Sequence, residues 1–166
     1  MTEGTEALRG ELGKTLAQLN MLDAFYRRFK SDLPNLPKGR PYDLIVLANM
    51  FEDFYACLET GFVRISKFFE NNLETLRWHS HLLERMAVDV PGARKRVITD
   101  STYVALLEFL KFRHFKRYYF EFDFDRERIE YLEKRFVKTL PAVRAELEDY
   151  LRFLEEISEA GSHLGE

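Results

Sequence analysis

Residues 41–69 read PYDLIVLANMFEDFYACLETGFVRISKFF and are the most apolar part of the chain. Their apolar side chains recur every three or four residues, which is the spacing of one face of an α-helix. Pro41 suits the first position of a helix, and Asp43 suits its first turn. The stretch is therefore predicted to form the central, most buried helix, with this apolar face: Leu44, Leu47, Ala48, Phe51, Phe54, Tyr55, Leu58, Phe62, Ile65 and Phe68.

The same spacing on either side of this stretch predicts four further helices. The five predicted helices lie at about residues 6–30, 41–69, 75–87, 101–118 and 125–157. Thr99 or Asp100 can cap the fourth helix, and Asp125 can cap the fifth. Pro141 is expected to bend or interrupt the fifth helix, because proline lacks the amide hydrogen that a helix interior uses.

One short segment has the pattern of a strand instead. Residues 119–125 read YFEFDFD, and this alternation has a period of two. No second segment offers a strand to pair with it. We therefore interpret it as an extended connection that turns Phe120, Phe122 and Phe124 inward. The predicted fold class is all-α: an up-and-down bundle of four long helices and a shorter one, and 8 Gly and 5 Pro in 166 residues agree with it.

Length and composition predict one domain, which we place at residues 1–160, with a flexible tail at 161–166. Cys57 is the single cysteine, so it can form no internal disulfide, and it is interpreted as a small core residue. No metal site or cofactor is predicted. The acidic start of the chain is unlike a signal peptide, and the longest apolar run, Leu44–Ala48, is too short to span a membrane. We expect a cytoplasmic protein with no membrane partner.

Charge is distributed unevenly along the chain, although the net charge is only −3. Residues 94–117 contain seven Lys and Arg and two acids, whereas residues 142–166 contain two Arg and seven acids. A local basic segment on an acidic protein indicates a local anionic ligand. Arg94, Lys95 and Arg96 are predicted to lie in a loop, which either extends an RNA-binding track or is simply solvated.

The fourth predicted helix changes character along one stripe. Its apolar positions are followed on the same stripe by Arg113, His114 and Arg117. One interpretation is the end of a bundle, where long side chains reach water or pair with acids. The other is an anion site of Arg113, His114, Lys116 and Arg117, because guanidinium groups suit phosphate and histidine can move a proton near neutral pH. Glu59 either pairs with Arg113 or Arg117 or faces solvent.

The segment FRHFKRYYF at residues 112–120 resembles the signature region of HEPN domains, and specifically that of HepT-like ribonuclease toxins. The resemblance extends upstream. DFYACLE at residues 53–59 is similar to the central helix of that family, and WHSHLLERM at residues 78–86 is similar to its third-helix segment. It covers about residues 42–128, in order and with comparable spacing.

The resemblance implies a homodimeric toxin of a toxin–antitoxin module that cleaves RNA without a metal. In such proteins an arginine and a histidine of one helix, doubled across the dimer, line a cleft in which the RNA 2′-hydroxyl attacks its own phosphate. The arginine position corresponds to Arg113, with Lys116 and Arg117 as further phosphate ligands and Glu59 in support. The implied partner is a nucleotidyltransferase antitoxin, which in part of the family attaches AMP to a tyrosine.

This sequence departs from the family pattern at the catalytic position. Counted from Arg113, the usual histidine falls on Tyr118, and the usual tyrosine falls on Phe120. His114 is the candidate substitute base, and Tyr118 and Tyr119 are the candidate sites of AMP modification. Whether the protein is an enzyme therefore stays open. The alternative is a catalytically degenerate HEPN protein that binds RNA, a nucleotide or a partner nucleotidyltransferase without cleaving.

Overall fold

The computed structural model describes residues 2–35, 42–70, 78–119 and 124–163, with side chains for all of these except residues 2, 78–80, 118, 119 and 161–163. Five α-helices follow one another along this part of the chain: α1 (Thr2–Asp32), α2 (Tyr42–Glu70), α3 (Trp78–Met86), α4 (Asp100–Tyr119) and α5 (Arg126–His163). A short 3₁₀ turn at Leu33–Asn35 follows α1. The described residues contain no strand, which confirms the predicted all-α bundle.

Helix α2 is the centre of the bundle, as its sequence predicted. It contacts each of the other four helices, and the predicted apolar face is buried except for Phe68. Gly61 lets α1 approach closely, because a Cβ there would lie 3.2 Å from Thr15 Oγ1. On the other side, aromatic rings of α2, α4 and α5 interlock with centroids 5.2–6.2 Å apart: Phe51, Phe54, Phe109, Phe112 and Phe136. These rings fix α4 against α2.

The predicted caps of α4 and α5 are confirmed. Asp125 Oδ1 accepts a hydrogen bond from the backbone N–H of Glu127, so Asp125 caps α5. Of the two candidates for α4, Thr99 is the cap, since its Oγ1 accepts from the backbone N–H of Thr102. Half-buried Glu146 of α5 supports this cap by accepting hydrogen bonds from the Thr99 amide and from both threonine hydroxyls.

The structure corrects two sequence-based expectations about the helices. Of the bend or interruption expected at Pro141, the interruption does not occur, because α5 continues to His163. The buried side chains on both sides of the proline, Leu140 and Val143, pack into the core and hold the helix together across the missing hydrogen bond. Phe25 lies three residues after Leu22 and four before Phe29, and this spacing predicts a place on the apolar face of the first helix. It is nevertheless 51% exposed, because nothing covers that side of α1 in the described structure. The division into residues 1–160 and a tail stays a prediction.

The connection before α4 begins with a tight turn. The backbones of Val90 and Arg94 exchange hydrogen bonds across it. Gly92 lies between them with φ +76°, in the left-handed region that glycine adopts without strain. Further on, Phe124 is buried beside Phe112, with ring centroids 6.2 Å apart, as the inward-facing connection predicted. The same prediction for Phe120 and Phe122 lies outside the described residues.

Candidate nucleic-acid interface

Arg113 of α4 is held in an ion pair with Glu59 of α2. Arg113 comes one and two turns after Leu110 and Leu106, so the stripe that faces the bundle carries its guanidinium onto α2. The two side chains are 15% and 7% exposed, respectively. The structure thus decides between the two roles left open for Glu59: it pairs with Arg113.

The environment of this pair is apolar on one side. The Arg113 guanidinium lies 6.0 Å from the centroid of the Tyr55 ring, within reach of a cation–π contact. Burial, followed by the Glu59 carboxylate, raises the pKa of Tyr55 above its ordinary value. Arg113 donates to Glu59 through Nη1. The other guanidinium N–H groups have no partner among the described residues, so they can meet an anion.

A second ion pair lies one turn further along α4. The Lys116 ammonium pairs with Glu52 of α2, and it also donates to the Asn49 side chain. Glu52 and Glu59 are seven residues apart on α2, while Arg113 and Lys116 are three apart on α4. The two helices are therefore joined by two successive ion pairs. The second pair is more open to solvent, with the Lys116 side chain 18% exposed and the Glu52 side chain 26% exposed.

Two of the remaining predicted site residues, His114 and Arg117, lie on the outer side of α4. His114 and Arg117 are both exposed, so His114 does not share the orientation of its neighbour Arg113. Arg117 has no ion pair among the described residues. Tyr118 lies in the last turn of α4 with Tyr119, but the side chains of both, and every prediction made for them, lie outside the described residues.

The basic segment at residues 94–117 is not a basic surface. Six of its seven cationic side chains have a carboxylate partner in the structure, and these are Arg94, Lys95, Arg96, Lys111, Arg113 and Lys116. Four of the six carboxylates belong to residues outside the segment, so a count of charges within residues 94–117 does not include them. The excess positive charge that the sequence indicated is therefore largely compensated.

Arg94 departs most from expectation, since neither a solvated loop nor an RNA-binding track describes it. Its side chain is fully buried and pairs with Glu70 at the end of α2. It also donates to three backbone carbonyls, those of Arg85, Val88 and Lys95. Arg94 thus ties the connection after α3 to the central helix, which is a structural role.

Cys57 is half-buried and not part of the core. It lines a groove of about 770 Å³ between α1 and α2, whose apolar rim includes Met21 and Phe25. Its thiol lies 3.3 Å from the Gln18 side-chain oxygen. Burial raises the pKa of the Cys57 thiol to about 11, so almost none of it is thiolate at neutral pH. The thiol is thus a poor nucleophile.

Asn49 and Glu52 are site residues that sequence reasoning missed. The sequence alone gives neither residue a place in the site. The available signal was the spacing of the acids on α2, because Glu52 and Glu59 share a helix face at an interval of seven. Nothing in the sequence, however, states which neighbouring helix that face meets.

Neither a metal site nor a membrane-spanning helix is found in the described ranges. No group of three or more His, Cys, Asp or Glu among those residues is placed to hold a metal ion. Within the same ranges, no helix combines the length and apolar character that a membrane crossing requires.

Comparison with known proteins gives one finding. A family model described as "HepT-like protein" matches residues 46–154, which is more than half of the chain. The match includes α3, α4 and most of α2 and α5, and both ion pairs of the α2–α4 interface lie inside it. Neither the curated proteins nor the solved structures give a match.

Proposed function

The chain belongs to the HepT-like family, and on this premise we propose that it is the RNA-cleaving toxin of a toxin–antitoxin module, with Arg113 holding the phosphate. The observation that carries the proposal is the Arg113–Glu59 pair. A guanidinium fixed by a buried carboxylate is positioned before any ligand arrives, and its remaining donors are available to an anion. Such preorganised donors stabilise charge that develops in a transition state.

The proposed reaction needs no group that the chain lacks. The RNA 2′-oxygen attacks the adjacent phosphorus, the new O2′–P bond forms, and the P–O5′ bond breaks. A base takes the 2′-hydroxyl proton, and the leaving 5′-oxygen receives a proton from solvent water. Arg113 stabilises the charge on the phosphoryl oxygens. His114 is the proposed base rather than Tyr118, since an ordinary phenol has a pKa of ~10 and is a poor base at neutral pH.

The proposed partners follow from the family and from the surface of α4. They are RNA, a second copy of the chain and a nucleotidyltransferase antitoxin, all in the cytoplasm. Tyr118 and Tyr119 are the proposed positions of AMP modification. The proposed dimer brings two α4 helices together, so that both Arg113 side chains line one cleft.

The dimer gives the first testable expectation. Val104 of α4 is 54% exposed, and its neighbours Tyr103, Leu107 and Leu110 are half-buried, so this face offers apolar area to a partner. We expect light scattering to give a dimer at micromolar concentration for the wild-type protein and a monomer for Val104→Glu. Val137→Glu is the matched control, because Val137 of α5 is 50% exposed and lies away from α4. A wild-type monomer, or equal behaviour of the two variants, contradicts the proposal.

A second candidate function is a degenerate HEPN protein that binds RNA or a nucleotide without cleaving it. The observation that favours it is the neutralised charge of the interface, since Glu59 and Glu52 compensate Arg113 and Lys116. Tyr118 at the usual histidine position favours it as well. Both candidates require phosphate binding at α4, so binding is the property to test first.

We expect RNA affinity to fall with salt and to depend on Arg113. Removing Arg113 alone would take away the cation that pairs with the buried Glu59 carboxylate and endanger the fold. The suitable variant is Glu59→Gln with Arg113→Gln, which removes both members of the pair together and keeps the net charge. Gln matches the length of Glu59 but is shorter than Arg113. We expect it to bind a labelled single-stranded RNA more weakly, with the slope of log affinity against log salt reduced by about 0.7, one phosphate contact.

The control for this experiment is a second neutralised pair. Arg9 of α1 and Glu155 of α5 form an exposed ion pair away from α4, so Arg9→Gln with Glu155→Gln makes the same change elsewhere. We expect this variant to bind like the wild type in fluorescence anisotropy. Equal affinity and equal salt dependence of all three proteins would overturn the phosphate site at Arg113.

A further inference from the structure

The two ion pairs between α2 and α4 differ in how readily an anion can displace the carboxylate. Glu59 is 7% exposed, so releasing it from Arg113 would leave a charge away from water. Glu52 is 26% exposed, and water can solvate its carboxylate as soon as it leaves Lys116. The pair is part-buried, so breaking it costs less desolvation than breaking the buried Arg113–Glu59 pair. The Glu52–Lys116 contact is therefore the exchangeable one.

Lys116 sits one helical turn after Arg113, so an anion bound at Arg113 lies close to it. In the structure its ammonium is occupied by Glu52 and Asn49. A carboxylate oxygen and an amide oxygen together resemble the acceptors that a phosphodiester offers. The α2 side chains thus occupy the place that an RNA phosphate would take.

We propose that Glu52 is an internal competitor for Lys116, which a phosphodiester displaces when RNA binds at Arg113. Lys116 then becomes a second phosphate contact, and Glu52 sets the affinity of the site. The inference rests on the proposed function and deepens it. The implied ligand class is a chain with at least two adjacent phosphates, because a single phosphate at Arg113 gains nothing from freeing Lys116.

The local charges support a competitor role. Arg113, Lys116 and Arg117 are three cationic side chains, and Glu59 and Glu52 are two anionic ones, so the interface retains little net charge. An anion that leaves Glu52 in place is repelled by it at short range. An anion that displaces Glu52 meets two cations. Weak polyanion contacts are thereby disfavoured relative to ligands that engage both positions.

The test is Glu52→Gln, in which the side chain keeps its length and an oxygen acceptor but loses its charge. Its matched control is Asp53→Asn on the same helix, because Asp53 is exposed and has no ion pair among the described residues. Both variants change the net charge by the same amount. Affinity for a labelled single-stranded RNA is measured by fluorescence anisotropy between 50 and 200 mM salt. The same measurement is made on Glu52→Gln/Lys116→Met and on Glu59→Gln/Arg113→Gln.

We expect Glu52→Gln to bind about fivefold more tightly than Asp53→Asn at 50 mM salt, and this advantage to be smaller at 200 mM, because salt screens the charge of Glu52 that competes in the control. Adding Lys116→Met should cancel the gain. Equal affinities of Glu52→Gln and Asp53→Asn, or a gain that survives Lys116→Met, overturn the competitor role while leaving the proposed function standing. If Glu59→Gln/Arg113→Gln binds RNA as tightly as the wild type, or if none of the proteins binds RNA, both the competitor role and the proposed function are overturned.

Discussion

Cleavage of a labelled RNA without added metal is expected to be weak for the wild-type protein and to rise on Tyr118→His. The family pattern places a histidine at residue 118, and general acid–base catalysis typically contributes ~100- to 10,000-fold. That range is the upper limit of the gain in cleavage rate, because the phosphate-binding residues are not arranged around a histidine at residue 118 in this protein. The restored group should also give a pH dependence near ~6.5, the ordinary pKa of histidine.

Two variants separate the possible bases. Tyr119→His makes the same substitution at the next residue, and we expect it to give no gain. His114→Ala should abolish the wild-type activity if His114 is the base. Strong wild-type cleavage that survives His114→Ala would show that another group moves the proton. No cleavage by any variant, with RNA binding intact, would establish the degenerate binding protein as the better description.

The second large effect concerns the fold. Arg94→Met is expected to lower the free energy of unfolding by about 3–5 kcal/mol. It leaves the buried Glu70 side chain with Arg85 as its one partner among the described residues, and it removes hydrogen bonds to three carbonyls. For a chain of this size the loss corresponds to a decrease in Tm of roughly 6–20 °C. Urea and thermal unfolding, followed by circular dichroism, measure both quantities.

Arg96→Met is the matched control for this substitution. Arg96 lies two residues away in the same connection, and its side chain is 47% exposed. The one ion pair that it forms within the described ranges, with Asp100, has a separation of 4.0 Å, and a solvated contact of this kind contributes little. We expect the control to change stability by less than about 0.5 kcal/mol. A loss for Arg94→Met as small as that of the control would contradict the structural role of Arg94.

The helices could be predicted because their signals are local. Apolar spacing in α2 specified both the helix and its buried face, and Asp125 and Thr99 marked helix starts through hydrogen bonds to residues two or three positions away. Pro141 misled for the complementary reason. Its local cost is real, but the packing of Leu140 and Val143 against the rest of the bundle outweighs it.

The candidate site could be predicted only in part. Arg113 and Lys116 were identified from the stripe of α4 and from the family resemblance, and Glu59 was recognised as a candidate partner. The acids that compensate Lys116 and Arg94 were not identified. Glu52 lies 64 residues from Lys116, and Glu70 lies 24 residues from Arg94, so no sequence spacing relates them.

The sequence by itself determined the all-α class, the central position of α2 and the family, because helical periodicity and a motif are properties of neighbouring residues. Only the tertiary structure decided which charges meet. Coulomb interactions act through space and strengthen when water is excluded, so the packing of α4 on α2 turned a basic stretch into paired charges. The same packing fixed Arg113 on buried Glu59 and left Lys116 on a carboxylate that water can reach.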